Sequence, residues 1–117
     1  MISQAHNSLV DWELFNERYS GREGFINKLL SLAITSCESV PEKLNSAINK
    51  EDYDDIAFVA HSLKGVSGNL IADSVYELAK ETEQCAREKR SETFLNANRL
   101  SEVTCKLLKE IDGNIKS

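Results

Sequence analysis

The 117-residue chain contains one proline, Pro41, and only five glycines. With so few residues that break or reverse a helix, long helices joined by short turns are expected. Its three cysteines, Cys37, Cys85 and Cys105, are odd in number and widely spaced, with no C-x-x-C pair. That spacing argues against a disulfide framework or a cysteine zinc site. All three lie near the apolar stripes of their segments and are read as buried, inert thiols in a reducing compartment. No cluster of lysines or arginines is present and the net charge is −5, which points away from nucleic acid and anionic membrane as partners. The longest strongly apolar stretch, around Leu29 to Ile34, is interrupted by Ser31 and is far too short to span a bilayer. Ser3, Gln4, His6 and Asn7 occupy positions where the apolar core of a signal peptide would begin, so no such peptide is expected. The chain is read as cytoplasmic, either free-standing or part of a larger protein, with His6 uninvolved.

Hydrophobic residues make up 41% of the chain and charged ones 28%, a balance that supports one globular domain over 1–117 rather than disorder. Residues 1–9 are polar and expected to be flexible. Asp11 can cap a short helix to about Tyr19, ended by Ser20-Gly21. A second helix opens near Arg22 and runs to about Cys37, with Ile26, Leu29, Leu30, Ala33 and Cys37 inward and Phe25 and Leu32 widening the stripe. Pro41 then kinks or interrupts it. A single kinked helix to about Asn49 is favoured over two, because no glycine- or asparagine-rich loop separates the halves. Asp52 can cap a third helix to about Gly68. A fourth follows from about Asp73 to Lys89, and a last one from about Glu92 to Ile111, stopped by Gly113. There is no strand signal. Four amphipathic helices on short turns imply an all-α, antiparallel up-down-up-down four-helix bundle over about 22–112, with the first short helix as a lid.

One stretch asks for more than folding: Ala60-His61-Ser62-Leu63-Lys64-Gly65-Val66-Ser67-Gly68-Asn69-Leu70. Ile56, Val59, Ala60, Leu63, Val66 and Leu70 recur at helical spacing and face a core. His61 lies about 140° around the helix from Ile56 and about 200° from Leu63, so it points outward. Lys64, Gly65 and Gly68 follow it on the same outer face. Glycine in a helix costs about 1 kcal/mol relative to alanine, and bare backbone beside a histidine gives another macromolecule room to approach. An outward histidine is by itself an ordinary surface residue. Lys64 one turn on can offer a cation to an anion held at His61. The next helix has Lys80, Glu83 and Arg87 on its outer face, with Gln84 beside them. A Glu or Gln next to an imidazole accepts from Nδ1–H and leaves Nε2 nucleophilic, and Arg87 can meet a phosphoryl oxygen. Taken alone, Glu83 and Arg87 are a solvated i, i+4 pair.

The run Ala60-His61-Ser62-Leu63-Lys64-Gly65 followed by Gly68-Asn69-Leu70 resembles the signature of histidine-containing phosphotransfer (HPt) domains of bacterial multistep phosphorelays. The likeness extends to the aspartate opening the first helix, the proline in the second, the acidic turn before the histidine helix and a glutamate in the next. It implies a phosphocarrier that accepts a phosphoryl group on His61 from a receiver-domain aspartyl phosphate and passes it to another receiver. Lys64 falls at the family's phosphate-side lysine, Gly65 at the small residue that gives the receiver access, Glu83 at the histidine's partner and Arg87 at a second cation. Two positions depart from the pattern. Ile71 stands where many members have glycine, so Gly68-Asn69 is expected to take up the turn. Thr82 replaces an apolar residue before Glu83, which leaves Gln84 as an alternative partner for His61.

Partners implied by the resemblance are a response-regulator receiver domain and a (hybrid) sensor histidine kinase, met by a monomer. Ala57, Phe58, Ser62, Gly65, Val66 and Gly68 are the expected docking residues. No cofactor or metal of its own is expected, because no carboxylates cluster suitably beside His61; Mg²⁺ would sit on the receiver. No phosphate-cradling Gly-rich loop is present, so ATP binding and autophosphorylation are not expected. The alternative is a non-phosphorylated helical docking module for a signalling partner, which would be expected to have lost the histidine. A metal-binding bundle fails because Phe58, not glutamate, lies three residues before His61.

Overall fold

The structure, a computed structural model, describes residues 8–115 and contains six α-helices and no strand among them. Helix α1 spans Trp12–Arg18, α2 Glu23–Cys37, α3 Val40–Asn49, α4 Tyr53–Asn69, α5 Asp73–Arg87 and α6 Glu92–Asp112. Two expected caps are present. The Asp11 side chain accepts from Leu14 N at 3.1 Å and the Asp52 side chain from Asp55 N at 3.0 Å, each satisfying an amide that has no partner within the helix. Gly21 reverses the chain after α1 at φ 74°, a conformation glycine adopts without penalty.

Around Pro41 the chain forms two helices rather than one kinked helix. Pro41 sits in the first turn of α3, where its missing N–H would have no helical partner and its fixed φ suits the helix. Glu38 and Ser39 keep right-handed backbone angles between α2 and α3, so the break is narrow and needs no turn-forming composition.

Helices α4 and α5 form the most extensive pair; α6 lies along α3 and α5, and α3 along α4. Leu44, Ile56, Leu63, Val75, Leu100, Leu107 and Ile111 fill the interior. Helix α2 touches the others less, meeting α6 and, more slightly, α3 and α4. This is why Phe25 and Leu32, expected to widen its buried stripe, are exposed; Phe25 instead carries the Arg22 guanidinium at 4.5 Å. Cys37 and Cys85 are buried as expected, whereas Cys105 is exposed. Burial pushes the Cys37 thiol up to about 11, which keeps it protonated and unreactive.

Several interior positions are polar. The Ser67, Thr82 and Thr104 hydroxyls donate back to the carbonyls of Leu63, Leu78 and Leu100 at 2.7 to 2.8 Å. Each carries its own hydrogen bond inward and packs as a small residue.

Three helices end in the same way without glycine. Glu51, Ile71 and Lys89 have φ of 53°, 59° and 53°. At each, the next amide reaches back to the helix: Asp52 N to Ala47 O, Ala72 N to Ser67 O and Arg90 N to Cys85 O, all at 2.9 Å. These are Schellman closures. In the α4–α5 turn the left-handed residue is thus Ile71 itself, and not Gly68 or Asn69 as expected. A β-branched residue in that region costs ~1–3 kcal/mol. Ile71 is buried, and burying an isoleucine side chain returns ~1.5–3 kcal/mol. The two terms nearly cancel.

The segment before α1 is tied down from Leu9 onward. Leu9 N, Val10 N and Trp12 Nε1 all donate to the Glu110 carboxylate, at 2.8, 3.0 and 2.7 Å, and Asp11 N donates to Ile71 O at 3.0 Å. Residues 1–7 of the stretch expected to be flexible, His6 included, lie outside the described residues. No helix of the described residues is long and apolar enough to cross a membrane.

Candidate functional site

Helix α4 starts at the Asp52 cap, with Asp54 and Asp55 in its first turn, where carboxylates suit the positive end of the helix dipole. Its buried positions are Ile56, Ala57, Val59, Ala60, Leu63 and Ser67. That face leaves His61 outward with 63% of its side chain exposed. Val66, expected to face the core, is half-buried at the edge.

Helix α5 brings Glu83 to the histidine. His61 Nδ1 lies 3.0 Å from Glu83 Oε2. A carboxylate can only accept, so it selects the tautomer with the proton on Nδ1 and leaves the Nε2 lone pair free. The same Oε2 accepts from Arg87 Nε at 3.0 Å and Nη2 at 2.7 Å. Lys64 Nζ stands 3.0 Å from Oε1 in an ion pair whose angle falls outside hydrogen-bond geometry. Glu83 is only 9% exposed in its side chain, far more buried than an outer position of α5 would be. Burial by itself would raise its carboxyl; the contacts from Arg87, Lys64 and His61, with the Lys64 charge, outweigh it and hold the group down to about 2 from an ordinary 4.5. Glu83 is therefore ionised, and the Lys64 ammonium and Arg87 guanidinium stand beside a solvent-facing imidazole.

The other expected site residues divide. Gln84 faces away, its amide donating to Glu88 Oε2 at 2.8 Å, so Glu83 and not Gln84 meets His61. Thr82 turns inward as an apolar residue would. Phe58, one turn before His61, is 69% exposed, and Ser62 is exposed with its hydroxyl on Phe58 O at 3.3 Å. Ala57 is buried in the core cluster and cannot contribute to a docking surface, because it shares the inward arc with Ile56 and Ala60. A Cβ added at Gly65 would meet nothing within 4 Å, so nothing in the domain itself requires glycine there. At Gly68 a Cβ would lie 3.5 Å from the Tyr76 ring, an ordinary contact, so this glycine is exposed at the border with α5. Among the described residues, no group of three His, Cys, Asp or Glu side chains is placed to hold a metal ion. The convergence of Lys64 on Glu83 had no signal in the sequence beyond helical spacing, since it depends on how α4 and α5 are registered.

A family model described as Hpt domain matches residues 28–112, well over half of the chain. The chain belongs to the Hpt domain family. Comparison with curated proteins and with solved structures gave no match. Hpt domains are histidine phosphocarrier modules of phosphorelays, not kinases, and they interact with receiver domains and kinases. The matched region of this Hpt domain contains His61, Lys64, Glu83 and Arg87, and begins after α1.

Proposed function

We propose that this Hpt domain is a phosphorelay intermediate that takes a phosphoryl group onto His61 Nε2 from a receiver aspartyl phosphate and passes it to another receiver. The supporting observation is the 3.0 Å contact of Nδ1 with Glu83 Oε2, which leaves the solvent-facing nitrogen as the nucleophile. The Nε2 lone pair forms the N–P bond as the P–O bond to the aspartate breaks, and the aspartate departs as a carboxylate with that electron pair. The imidazole gains positive charge, which faces ionised Glu83, and its Nδ1 proton stays in place. Lys64 and Arg87 stand within reach of the charge spread over the phosphoryl oxygens in a loose transition state. Mg²⁺ belongs to the receiver in this scheme, and the domain needs neither a cofactor nor an ATP site.

Phe58, Ser62, Gly65 and the edge of Val66 offer the receiver an apolar anchor and close approach to the ring, while Gly68 lies at its border. The domain acts as a cytoplasmic bacterial monomer in this reading, between a sensor histidine kinase and a receiver, with no role for nucleic acid or membrane. Its architecture is read as an antiparallel up-down-up-down bundle in which α2 with α3, then α4, α5 and α6, form the four limbs and α1 the lid. A docking module without chemistry has no use for an oriented, exposed imidazole backed by a buried carboxylate. The test is to offer the domain a panel of phosphorylated receivers. Acid-labile, base-stable phosphate is expected on the native domain and none on His61→Gln, whose far-UV spectrum and melting temperature should match the native protein. Uptake by His61→Gln would remove the assignment.

A further inference from the structure

His61 and Glu83 are equidistant in sequence from Ala72, the fully buried apex of the α4–α5 turn. So are Gly68 and Tyr76, and a Cβ placed on Gly68 would meet the Tyr76 ring at 3.5 Å across the same pair of helices. The hairpin thus has one register from its turn to its site. Slipping either helix by one residue moves a side chain ~1.5 Å along the axis and ~100° around it, which takes Oε2 out of reach of Nδ1. The site depends on the turn keeping a single conformation, yet that conformation has Ile71 left-handed at φ 59°, where an isoleucine does not stay of its own accord.

Besides the Ala72 N to Ser67 O closure and the burial of Ile71, two bonds reach it from residues before the family-matched span 28–112. Asp11 N donates to Ile71 O at 3.0 Å, and the Tyr19 hydroxyl to Asn69 O at 3.3 Å. These two bonds occupy the last carbonyl of α4, ~12 Å along the helix from His61, and one in the turn just beyond it. The segment making them is anchored in turn by Glu110 of α6, which accepts from Leu9 N, Val10 N and Trp12 Nε1. Val10 and Phe15 are buried on either side of that anchor.

We propose that Trp12, Glu110 and Ile71 are positioning residues for His61: the N-terminal segment, latched to α6 through Glu110, clamps the α4–α5 turn in the register that sets Glu83 against Nδ1. The clamp rests on the phosphotransfer reading for its purpose, and the test separates the two.

Trp12→Phe, which keeps an aromatic ring but not the indole N–H, and Glu110→Gln are made in the full chain. Three readings are taken on each: amide exchange at Ile71 and Ala72, the His61 tautomer by nitrogen NMR, and the initial rate of phosphoryl uptake from a phosphorylated receiver. Exchange at the turn should quicken ~10-fold, as expected for loss of one or two supporting hydrogen bonds, the Nδ1–H tautomer should lose population, and uptake should fall several-fold. Leu44→Val, in the core of α3, provides a variant of lowered melting temperature that should leave tautomer and uptake rate unchanged. An unaltered His61 tautomer in both latch variants, or an equal change in Leu44→Val, overturns the clamp. Should the native domain take phosphate from no receiver, the phosphotransfer reading fails while the tautomer still decides the clamp.

Discussion

Glu83 gathers an imidazole, a guanidinium and an ammonium on one nearly buried carboxylate, and its ionisation therefore bears on both stability and chemistry. Its carboxyl is held at about 2, below the ordinary 4.5. A carboxyl lowered by folding stabilises the native state at all pH above its ordinary value, and this stabilisation is lost as pH falls from about 4.5 through about 2. Glu83→Gln should remove that part of the acid-denaturation profile and lower phosphoryl uptake, because a neutral amide no longer balances the charge gained by the ring. A Glu83→Gln profile superimposable on the native one below pH 4.5 would show that Glu83 is not so coupled. Gly65 yields a prediction of opposite signs. With open space where its Cβ would be, Gly65→Ala should stabilise the domain by ~1 kcal/mol and yet slow transfer from a receiver. Unchanged transfer kinetics would mean that the glycine is not clearance for a partner.

At the scale of elements, the scarcity of glycine has a specific consequence: three helices close on left-handed residues that carry side chains. Lys89 and Glu51 are exposed, so Lys89→Gly and Glu51→Gly should each raise stability by ~1 kcal/mol through relief of that conformation. Ile71→Gly should do the reverse, since the relief is outweighed by the buried side chain and by added freedom of the unfolded chain. Thermal melts of the three variants check this, and a gain for Ile71→Gly would contradict the balance drawn for the α4–α5 turn. These elements also mark where the sequence was legible. Helical periodicity located α4, α5 and α6 and turned His61 outward, because long apolar stripes admit few facings. It left Glu83 and Gln84 open because Thr82 departs from the family pattern and because the register of α4 against α5, which sets Glu83 on His61 Nδ1, is not written in either helix alone. The break at Pro41 was equally hard to read, as Glu38 and Ser39 stay right-handed across it. Phe25 and Leu32 are apolar residues on a helix with few neighbours, and composition alone cannot show how many neighbours a helix will find.

On the scale of the whole molecule, contacts between distant parts of the chain escape any local pattern. Glu110 reads as a surface glutamate near the end of α6, and only the folded chain brings it to Leu9, Val10 and Trp12. Trp12 is the single tryptophan, so its fluorescence reports whether the N-terminal segment stays docked. Its urea transition should coincide with that of the helices followed by circular dichroism, as one cooperative unit requires. A fluorescence transition at lower urea would show the segment to be separable. Latch and hairpin together serve one end, an imidazole with Nδ1 committed to Glu83 and Nε2 facing solvent. The direct measurement is correlated phosphorus–nitrogen NMR of the domain after phosphorylation by a receiver. Phosphorus coupled to Nε2 of His61, with the Nδ1 proton still hydrogen-bonded, is the predicted result; phosphorus on Nδ1, or on any residue other than His61, would contradict it.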